Sequence, residues 1–328
     1  MTKEVVKLSE GSGGEEMDNL IKQLSKDFFR GNWKNCDKDG ATFEDLVFTT
    51  DSYVVTPIFF PGGNIGKLAF CGTVNDLAVM GATPIGISLS LIIEEGFSKD
   101  ELKIITDTIA KLSNETKIPV VTGDTKVVEK GKIDKIMITT SGIGKTKTIL
   151  DKPLCENDAI IISGSLGDHA IALLSKRFDF ETNIISDSKP LNLELKEVKT
   201  LIKQAKDITR GGLSAILNEI CEKNKVSALI FEENIPIKEG VKRSVEFLGI
   251  NLYDLACEGR FICVCDKENV KKVVTILKKF NEEASIIGHI TDKTNGHDVV
   301  CQTKFGKKLI HKPTGNIVPR ICWPFILS

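Results

Sequence analysis

The sequence predicts an α/β protein built from two domains. Strand-like and helix-like stretches alternate along the chain, and the alternation breaks around Asp151–Asp158, where Lys, Pro and Asn interrupt the apolar pattern. A chain of 328 residues is long enough for two separate cores. We therefore predict an N-terminal domain over 1–152 and a C-terminal domain over 153–305.

The first domain combines β-branched, aromatic strands with helices of 3.6-residue periodicity. Asn64 is placed to cap one helix and Gly81 to end it, while Ser98 and the acidic residues after it open a second helix. The predicted strands are 46–55, 84–93, 118–122 and 133–143, and the predicted helices are 64–80 and 98–116.

The second domain repeats the mixture of elements. After Phe305, Gly, Lys and Pro leave little to bury, so we predict a flexible C-terminal tail over 306–328. The predicted strands are 159–163, 226–231, 260–265, 285–290 and 298–303, and the predicted helices are 168–177, 191–206, 212–224 and 267–280.

Charge and composition exclude several classes of protein. The chain has 44 Lys and Arg against 45 Asp and Glu, and 20 aromatic residues, which is not the footprint of a nucleic-acid binder. The longest uncharged run, Leu77–Ile93, is interrupted by Gly and Pro, so we predict no membrane span. The N-terminus has no apolar signal core, and the nine cysteines form no C-x-x-C pair, so a cytoplasmic, reducing location is expected.

Asp76 is the first candidate site residue. On a helical wheel it falls in the middle of an apolar stripe, with Lys67 on the opposite face. A carboxylate aimed into an apolar face is costly unless it meets a cation or several donors. The alternative is a buried Asp that caps a neighbouring turn.

Three further aspartates lie at comparable places. Asp51 is in a strand-like run, Asp124 is at the end of the predicted strand 118–122, and Asp207 precedes a predicted helix. Carboxylates that converge from distant points suit Mg²⁺, which also bridges substrate phosphates. Each aspartate alone could instead be a turn or cap residue.

Glycine loops supply candidate anion sites. Gly11-Ser12-Gly13-Gly14 precedes an amphipathic helix, so its free amides could face phosphate oxygens, although it matches no short phosphate-binding motif. Lys126 follows Asp124 as a candidate cation, and Glu258 lies at a break between apolar stretches as a candidate base. A solvated surface charge is the alternative for both.

Long ordered blocks of the sequence resemble one family. They are TTDSYVVTPIFFPGGNIGKLAFCGTVNDLAVMGATP, GDTKVVEKGKIDKIMITTSGIG, GDHAIALLS, DITRGGLSAILNEI and VPRIC. In this order they resemble the hydrogenase-maturation carbamoyl dehydratases (HypE), within the aminoimidazole-ribonucleotide-synthetase-like (PurM-like) ATP-binding superfamily. The resemblance covers nearly the whole chain up to Cys322.

The resemblance implies a fold, a reaction and partners. It implies two PurM-like α/β domains, with a homodimer formed through the N-terminal domains and a nucleotide cleft lined by both. The reaction is the ATP-dependent dehydration of an S-carbamoyl group on a C-terminal cysteine to S-cyanide, the source of the cyanide ligand of [NiFe]-hydrogenase iron. A carbamoyltransferase, HypF, loads the cysteine, and the HypC–HypD scaffold accepts the cyanide.

The resemblance also assigns roles to residues of this sequence. Lys126 and Glu258 match residues near the reacting group, and Cys322 matches the carrier of the carbamoyl group. Lys126 also counts among the nucleotide-site residues. The positions implied for ATP are Asp51, Asn75, Asp76, Asp124 and Asp207, together with Gly11, Ser12, Gly13 and Gly14 as the segment that closes on nucleotide. The four aspartates of this set are also the positions implied for Mg²⁺.

One feature departs from the family pattern. In the family the cysteine is the last residue, whereas here Trp323–Ser328 follow Cys322. The six residues are an extension, or turn back at Pro324, or prevent carbamoylation. Two other functions fit parts of the pattern: a sister activity such as selenophosphate synthesis, thiamine-monophosphate phosphorylation or purine-ring cyclisation, and a non-catalytic scaffold of the maturation complex.

Overall fold

The N-terminal half folds around a mixed five-stranded sheet. The computed structural model describes residues 5–292 and 298–315. The strands of this half are β1 (Ala41–Phe43), β2 (Leu46–Tyr53), β3 (Phe59–Phe60), β4 (Gly63–Asn64), β5 (Thr83–Glu94), β6 (Val120–Val128) and β7 (Ile136–Lys145). The sheet order is β1-β2-β7-β5-β6, while β3 and β4 form a separate pair. Strands β5 and β6 are parallel, and β6 forms an edge of the sheet.

The helices of this half are α1 (Glu15–Ser25), α2 (Ile65–Val79) and α3 (Lys99–Thr116). Helices α2 and α3 begin where the sequence predicts caps. The Asn64 side chain accepts a hydrogen bond from the Lys67 amide at 3.1 Å, and the Ser98 hydroxyl accepts one from the Glu101 amide at 3.4 Å. Gly81 follows α2 at φ +84°, a left-handed conformation that suits glycine.

The C-terminal half has a seven-stranded sheet with helices on its faces. The strands are β8 (Ala159–Ile162), β9 (Gln204–Asp207), β10 (Ser227–Phe231), β11 (Phe261–Cys265), β12 (Ser285–Thr291), β13 (Val299–Thr303) and β14 (Gly306–Leu309), and the helices are α4 (Asp168–Arg177), α5 (Asn192–Val198), α6 (Gly212–Asn224), α7 (Glu239–Leu248) and α8 (Val270–Leu277). The sheet order is β14-β13-β10-β12-β8-β11-β9. Separate apolar clusters pack against its two faces.

Helix α2 lies between the two halves. Nearly all of its residues are buried, which is the pattern of a helix covered on every side. It packs on β2, β7 and α3 of its own half and on α5 and β9 of the other half. Ala78 and Val79 near its C-terminus join the core of the C-terminal half. Side chains of α2 can therefore meet chemistry from both domains.

The structure corrects three details of the predicted elements. The predicted helix 191–206 ends as α5 at Val198, and its remainder contains strand β9, because residues 204–207 pair with β11. The predicted strand 118–122 continues as β6 to Val128, paired along its length with β5. Helix α7 lies in a stretch for which the sequence predicted no element.

The predicted tail also begins later than residue 306. Strand β14 pairs with β13, and Ile310 and Lys312 are buried, so residues 306–315 pack on the C-terminal half. The sequence did not predict this packing, because the segment is rich in Lys and has few apolar side chains. Its order comes from sheet pairing and ion pairs. In the described ranges, no helix combines the length and apolar character that a membrane crossing requires.

Candidate functional site

A cavity of about 870 Å³ opens between the two halves of the chain. The N-terminal half contributes residues of α1, β2 and α2 to its wall, and the C-terminal half contributes residues of β9 and α6. Asp51, Asp76 and Asp207 all line it, although they are far apart in sequence. Its volume is in the range of small-molecule and cofactor sites.

Asp76 is the half-buried carboxyl group that α2 contributes to this wall. Its side chain accepts a hydrogen bond from the Thr49 hydroxyl at 3.0 Å. Burial raises the pKa of Asp76 well above its ordinary value, and the negative charges of Asp207, Asp39 and Asp51 raise it further. The cavity therefore holds a group of mutually repelling carboxylates, an arrangement that a bound cation stabilises.

Asp51 and Asp207 reach this group from opposite halves. Asp51 is on β2, and its carboxylate accepts a hydrogen bond from the Ser52 amide at 2.7 Å. Asp207 ends β9 and is almost fully buried. Within residues 5–292 and 298–315, no three His, Cys, Asp or Glu side chains are close enough to hold a metal ion by themselves. Mg²⁺ is usually held by one or two carboxylates together with phosphate oxygens and water.

Asp39 and Lys206 are site residues that sequence reasoning missed. The Lys206 ammonium pairs with Asp39 and with Glu219, both at 2.9 Å. Burial alone lowers the pKa of Lys206, but these two carboxylates raise it well above its ordinary value, so the lysine stays charged. No local sequence pattern identifies either residue. Asp39 lies in an irregular segment before β1, and only the tertiary structure brings it to Lys206.

The N-terminal glycine loop reaches the cavity with only part of its length. Gly13 and Gly14 line the cavity at φ +85° and +96°, whereas Gly11 ends a short 3₁₀ turn and the buried Ser12 hydroxyl donates to the Leu8 carbonyl at 3.4 Å. A side chain at Gly13 would come within 2.9 Å of the Cβ of Arg210. The loop is therefore packed closely against the segment that follows Asp207.

The first amides of α1 are already hydrogen-bonded, although free amides were expected from the sequence at this point. The Glu15 amide donates to the Pro313 carbonyl at 3.1 Å, and the Glu16 amide donates to the Thr314 carbonyl at 3.3 Å. The Lys312 ammonium, which lines the cavity, also pairs with Asp18 of α1 at 2.6 Å. The residues that lead into the C-terminal tail thus cap α1 and satisfy two amides that the sequence alone left free.

Asn75 lies next to Asp76 but contacts the other domain instead of the cavity. Its amide nitrogen donates to the carbonyls of Lys189 at 3.2 Å and Glu258 at 3.4 Å, and its oxygen accepts from the Leu191 amide at 2.8 Å. The side chain is therefore occupied by backbone groups of the C-terminal half. In this structure Asn75 joins α2 to that half and positions the Glu258 backbone.

Glu258 is buried in the interface between the halves and does not line the large cavity. Its exposed fraction is 2%, and its backbone amide donates to the Asp187 carboxylate at 2.9 Å. Its carboxylate lies near Cys71 of α2: burial raises the pKa of that thiol to about 12, Lys67 lowers it and Glu258 raises it. Glu258 thus lies along the middle of α2, with its carbonyl at Asn75 and its carboxylate near Cys71.

Asp124 and Lys126 are not brought to the cavity of this chain. Both lie in the middle of β6, where Asp124 pairs in register with Ser90 and Lys126 with Ile92. Nearly the whole strand is exposed. The expectation that Asp124 stands at a strand end is wrong, because hydrogen bonds to β5 extend the strand past it.

Cys322 lies outside the described residues. The last described residue, Gly315, packs near Ser9 and Glu16 at the N-terminal end of α1, beside the cavity. Cys322 is the seventh residue after Gly315, a length that spans at most about 25 Å when extended.

Comparisons with known proteins agree over almost the whole chain. Residues 37–146 match the family described as AIR synthase related protein, N-terminal domain, and residues 156–300 match its C-terminal domain. A carbamoyl dehydratase HypE of Rhizobium leguminosarum bv. viciae is 40% identical, over 97% of this chain and 95% of the relative.

Two solved structures are similar in sequence and fold. A HypE in complex with ATP is 35% identical, with a TM-score of 0.81, over 97% of this chain and 100% of the other. A HypE–HypF complex has a chain that is 39% identical, with a TM-score of 0.84, over 90% of this chain and 99% of the other.

Proposed function

The chain belongs to the AIR synthase related family and, within it, to the HypE carbamoyl dehydratases, and we propose how its own residues perform that activity. The reaction is the ATP-dependent dehydration of the S-carboxamide of Cys322 to S-cyanide in [NiFe]-hydrogenase maturation. The observation that carries the proposal is the meeting of Asp51, Asp76 and Asp207 in one cavity lined by both domains. A relative that aligns over 97% of the chain is known in complex with ATP.

The chemistry explains why ATP is needed. The carboxamide oxygen attacks the γ-phosphorus of ATP, so a P–O bond to that oxygen forms while the bond to ADP breaks. The nitrogen then loses its two protons, the C–O bond breaks, and phosphate leaves with the oxygen as C≡N forms. Phosphorylation thus converts a poor leaving group into a good one, and the products are S-cyanide, ADP and phosphate.

Mg²⁺ fits the carboxylate donors of the cavity. Carboxylates from among Asp51, Asp76 and Asp207 would hold it together with phosphate oxygens and water, and the ion would neutralise charge during phosphoryl transfer. The raised pKa of Asp76, caused by burial and by neighbouring carboxylates, supports this placement, because a divalent cation offsets their repulsion. The closely packed Gly13 and Gly14 would cover the phosphates.

Glu258 is proposed as the base that takes protons from the carboxamide nitrogen. Asn75 and Asp187 fix its backbone through hydrogen bonds, so its place beside α2 is set by both halves of the chain. The described chain ends beside the cavity, and Cys322 follows Gly315 by seven positions, so we propose that the tail delivers Cys322 to this region. Delivery of the carboxamide requires the interface near Cys71 to open, since Glu258 is buried in the described state.

A homodimer through the N-terminal sheet is part of the proposal. Strand β6 is an exposed edge that carries Val121 and Val127 with exposed fractions of 62% and 68%. An open edge with apolar side chains is a surface that a second copy can cover. Lys126 and Asp124 would then be in the dimer interface, and Lys126 would act on a reacting group only if the dimer brings β6 to a cleft. Sedimentation of the purified chain tests the dimer.

Partners follow from the same family. A HypE is known in complex with HypF, and we propose that a HypF carbamoyltransferase loads Cys322 and that a HypC–HypD scaffold accepts the cyanide. We also propose a cytoplasmic location, where the thiol remains reduced.

Intact-mass measurement tests the function directly. The chain is incubated with the carbamoyltransferase, carbamoyl phosphate and magnesium ATP, and its mass is followed over time. We expect a carbamoyl adduct that loses water, together with release of ADP, and neither change in Cys322→Ala. Absence of both adducts in the full chain and in a chain lacking residues 323–328 would refute the function, and ADP release without a nitrile would indicate a sister activity.

A further inference from the structure

We propose that Arg210 is a catalytic residue that binds the oxygens of the phosphoryl group during its transfer from ATP. Arg210 lies three residues after Asp207, in the turn before α6, and its side chain lines the cavity with 29% of its surface exposed. The inference rests on the proposed ATP-dependent function and adds a residue to which no role has been given above.

The contacts of Arg210 leave most of its donors available. A guanidinium has five N–H groups. Among the described residues, its polar side-chain contacts are one hydrogen bond to the Met17 sulfur at 3.8 Å and an approach to the Asp51 carboxylate at 3.7 Å. A sulfur is a weak acceptor, and 3.7 Å is longer than a hydrogen bond. The guanidinium therefore lies close to Asp51, but most of its N–H groups make no hydrogen bond to a described residue.

The charge balance of the cavity requires such a cation. Nine carboxyl side chains line the cavity against six cationic ones, so a triphosphate is repelled unless cations meet it directly. Two of the lysines are already committed: Lys206 pairs with Asp39 and Glu219, and Lys312 pairs with Asp18. Arg210 is held by weaker contacts and is next to a proposed Mg²⁺ ligand.

The neighbours of Arg210 position it for phosphate. Gly13 packs directly against its backbone and Cβ, and Met17 of α1 contacts its guanidinium. The same N-terminal segment that covers the cavity therefore fixes the arginine. A planar guanidinium matches two phosphoryl oxygens at once and stabilises the charge that they carry in the transition state. Arg210 takes up no proton and forms no bond in this step.

The test compares Arg210→Met and Arg210→Lys with the wild-type chain. We measure by calorimetry the binding of magnesium ADP, with and without aluminium fluoride, which mimics the transferring phosphoryl group. In the wild type, aluminium fluoride should increase the affinity for magnesium ADP. In Arg210→Met this increase in affinity should be about 100-fold smaller, while the affinity for magnesium ADP alone changes by less than tenfold. Nitrile formation on carbamoylated Cys322 should fall by about 10³-fold.

Two controls separate the role from a folding defect. Arg243→Met removes an exposed arginine that pairs with Glu239 on α7 and should leave every measurement unchanged. Free guanidinium ion should partly restore nitrile formation to Arg210→Ala, since it can occupy the vacated space. Arg210→Lys should retain part of the fluoride gain.

The outcomes are distinct. An Arg210→Met chain that keeps the full fluoride gain, or a wild type that shows no such gain, overturns the inference. A wild type that binds the mimic tightly through Arg210 but never forms a nitrile supports the inference and refutes the proposed dehydratase function.

Discussion

The Asp187 carboxylate accepts a 2.9 Å hydrogen bond from the backbone amide of Glu258. The Arg260 guanidinium lies 3.9 Å from Asp187 and 3.9 Å from Asp168, so the turn that carries Glu258 is built around buried charges. Burial raises the pKa of Asp187, although Arg260 and the Glu258 amide lower it in part. The position of the proposed base is thus linked to the ionisation of a second acid.

Asp187→Asn should change how stability depends on pH. Because the folded-state pKa of Asp187 is raised, the folded chain holds its proton more tightly than the unfolded chain. Its contribution to stability is therefore fully present below the unfolded value of about 4 and decreases as pH rises through the folded value. Asparagine keeps the acceptor for the Glu258 amide without titrating.

The measurement is urea unfolding of both chains at about pH 5 and about pH 8. The free energy of unfolding of the wild type, relative to Asp187→Asn, should be lower at the higher pH. An equal difference at both pH values would contradict the raised pKa. Asp107→Asn, an exposed change on α3, is the control.

Asp76→Asn should weaken binding of magnesium ATP by about 10- to 100-fold, which is the effect of losing one charge-assisted contact. The unliganded chain should not lose stability, because the change removes repulsion from Asp207, Asp39 and Asp51. Calorimetric titration and urea unfolding check the two parts. Unchanged nucleotide affinity at saturating Mg²⁺ would show that Asp76 is not a ligand.

Asn75→Ala should destabilise the chain but bind ATP almost normally. The change breaks hydrogen bonds to the Lys189, Leu191 and Glu258 backbones and leaves a buried amide unpaired, at a cost of about 2–4 kcal/mol. Nitrile formation should fall as Glu258 loses its support. A large loss of nucleotide affinity in the folded variant would instead place Asn75 in the nucleotide site.

Gly13→Ala should reduce nitrile formation far more than the control substitution Gly96→Ala. Both Gly13 (φ +85°) and Gly96 (φ +90°) adopt left-handed backbone, so alanine should cost each about 1 kcal/mol of stability. At Gly13 the new methyl also meets Arg210 at 2.9 Å, whereas at Gly96 nothing lies within 4 Å. We expect nitrile formation to fall at least tenfold further in Gly13→Ala. Equal rates in both variants would argue against packing of the loop on Arg210.

Removal of residues 323–328 tests the departure after Cys322. If the extra residues hinder entry of the thiol, the shortened chain should be carbamoylated and dehydrated faster than the full chain, as followed by intact mass. Cys322→Ala in either length should bind ATP and carry no adduct. Equal rates for the two lengths would show that the six residues do not obstruct entry.

The α/β fold and the family were predictable from the sequence, and both are confirmed. Helix α2 illustrates why, because its main features are local in the sequence. They are the cap at Asn64, the glycine at position 81 that follows its end, and a carboxylate, Asp76, on an otherwise apolar stripe. Asp51 and Asp207 could also be named, because they lie within long family blocks. Their meeting with Asp76 is a property of the tertiary structure.

Local sequence therefore determined most of the helices and strands, the caps of α2 and α3, and the unusual position of Asp76 on an apolar stripe, since propensity, capping and periodicity act over a few residues. Only the tertiary structure decided which groups meet across long separations. It paired Lys206 with Asp39, packed Gly13 on Arg210, used two amides of α1 to bind the start of the tail, and left Lys126 on an exposed edge. These contacts form only when the two sheets pack around α2, and the residues that meet are far apart in the sequence, so no short stretch of the chain encodes them.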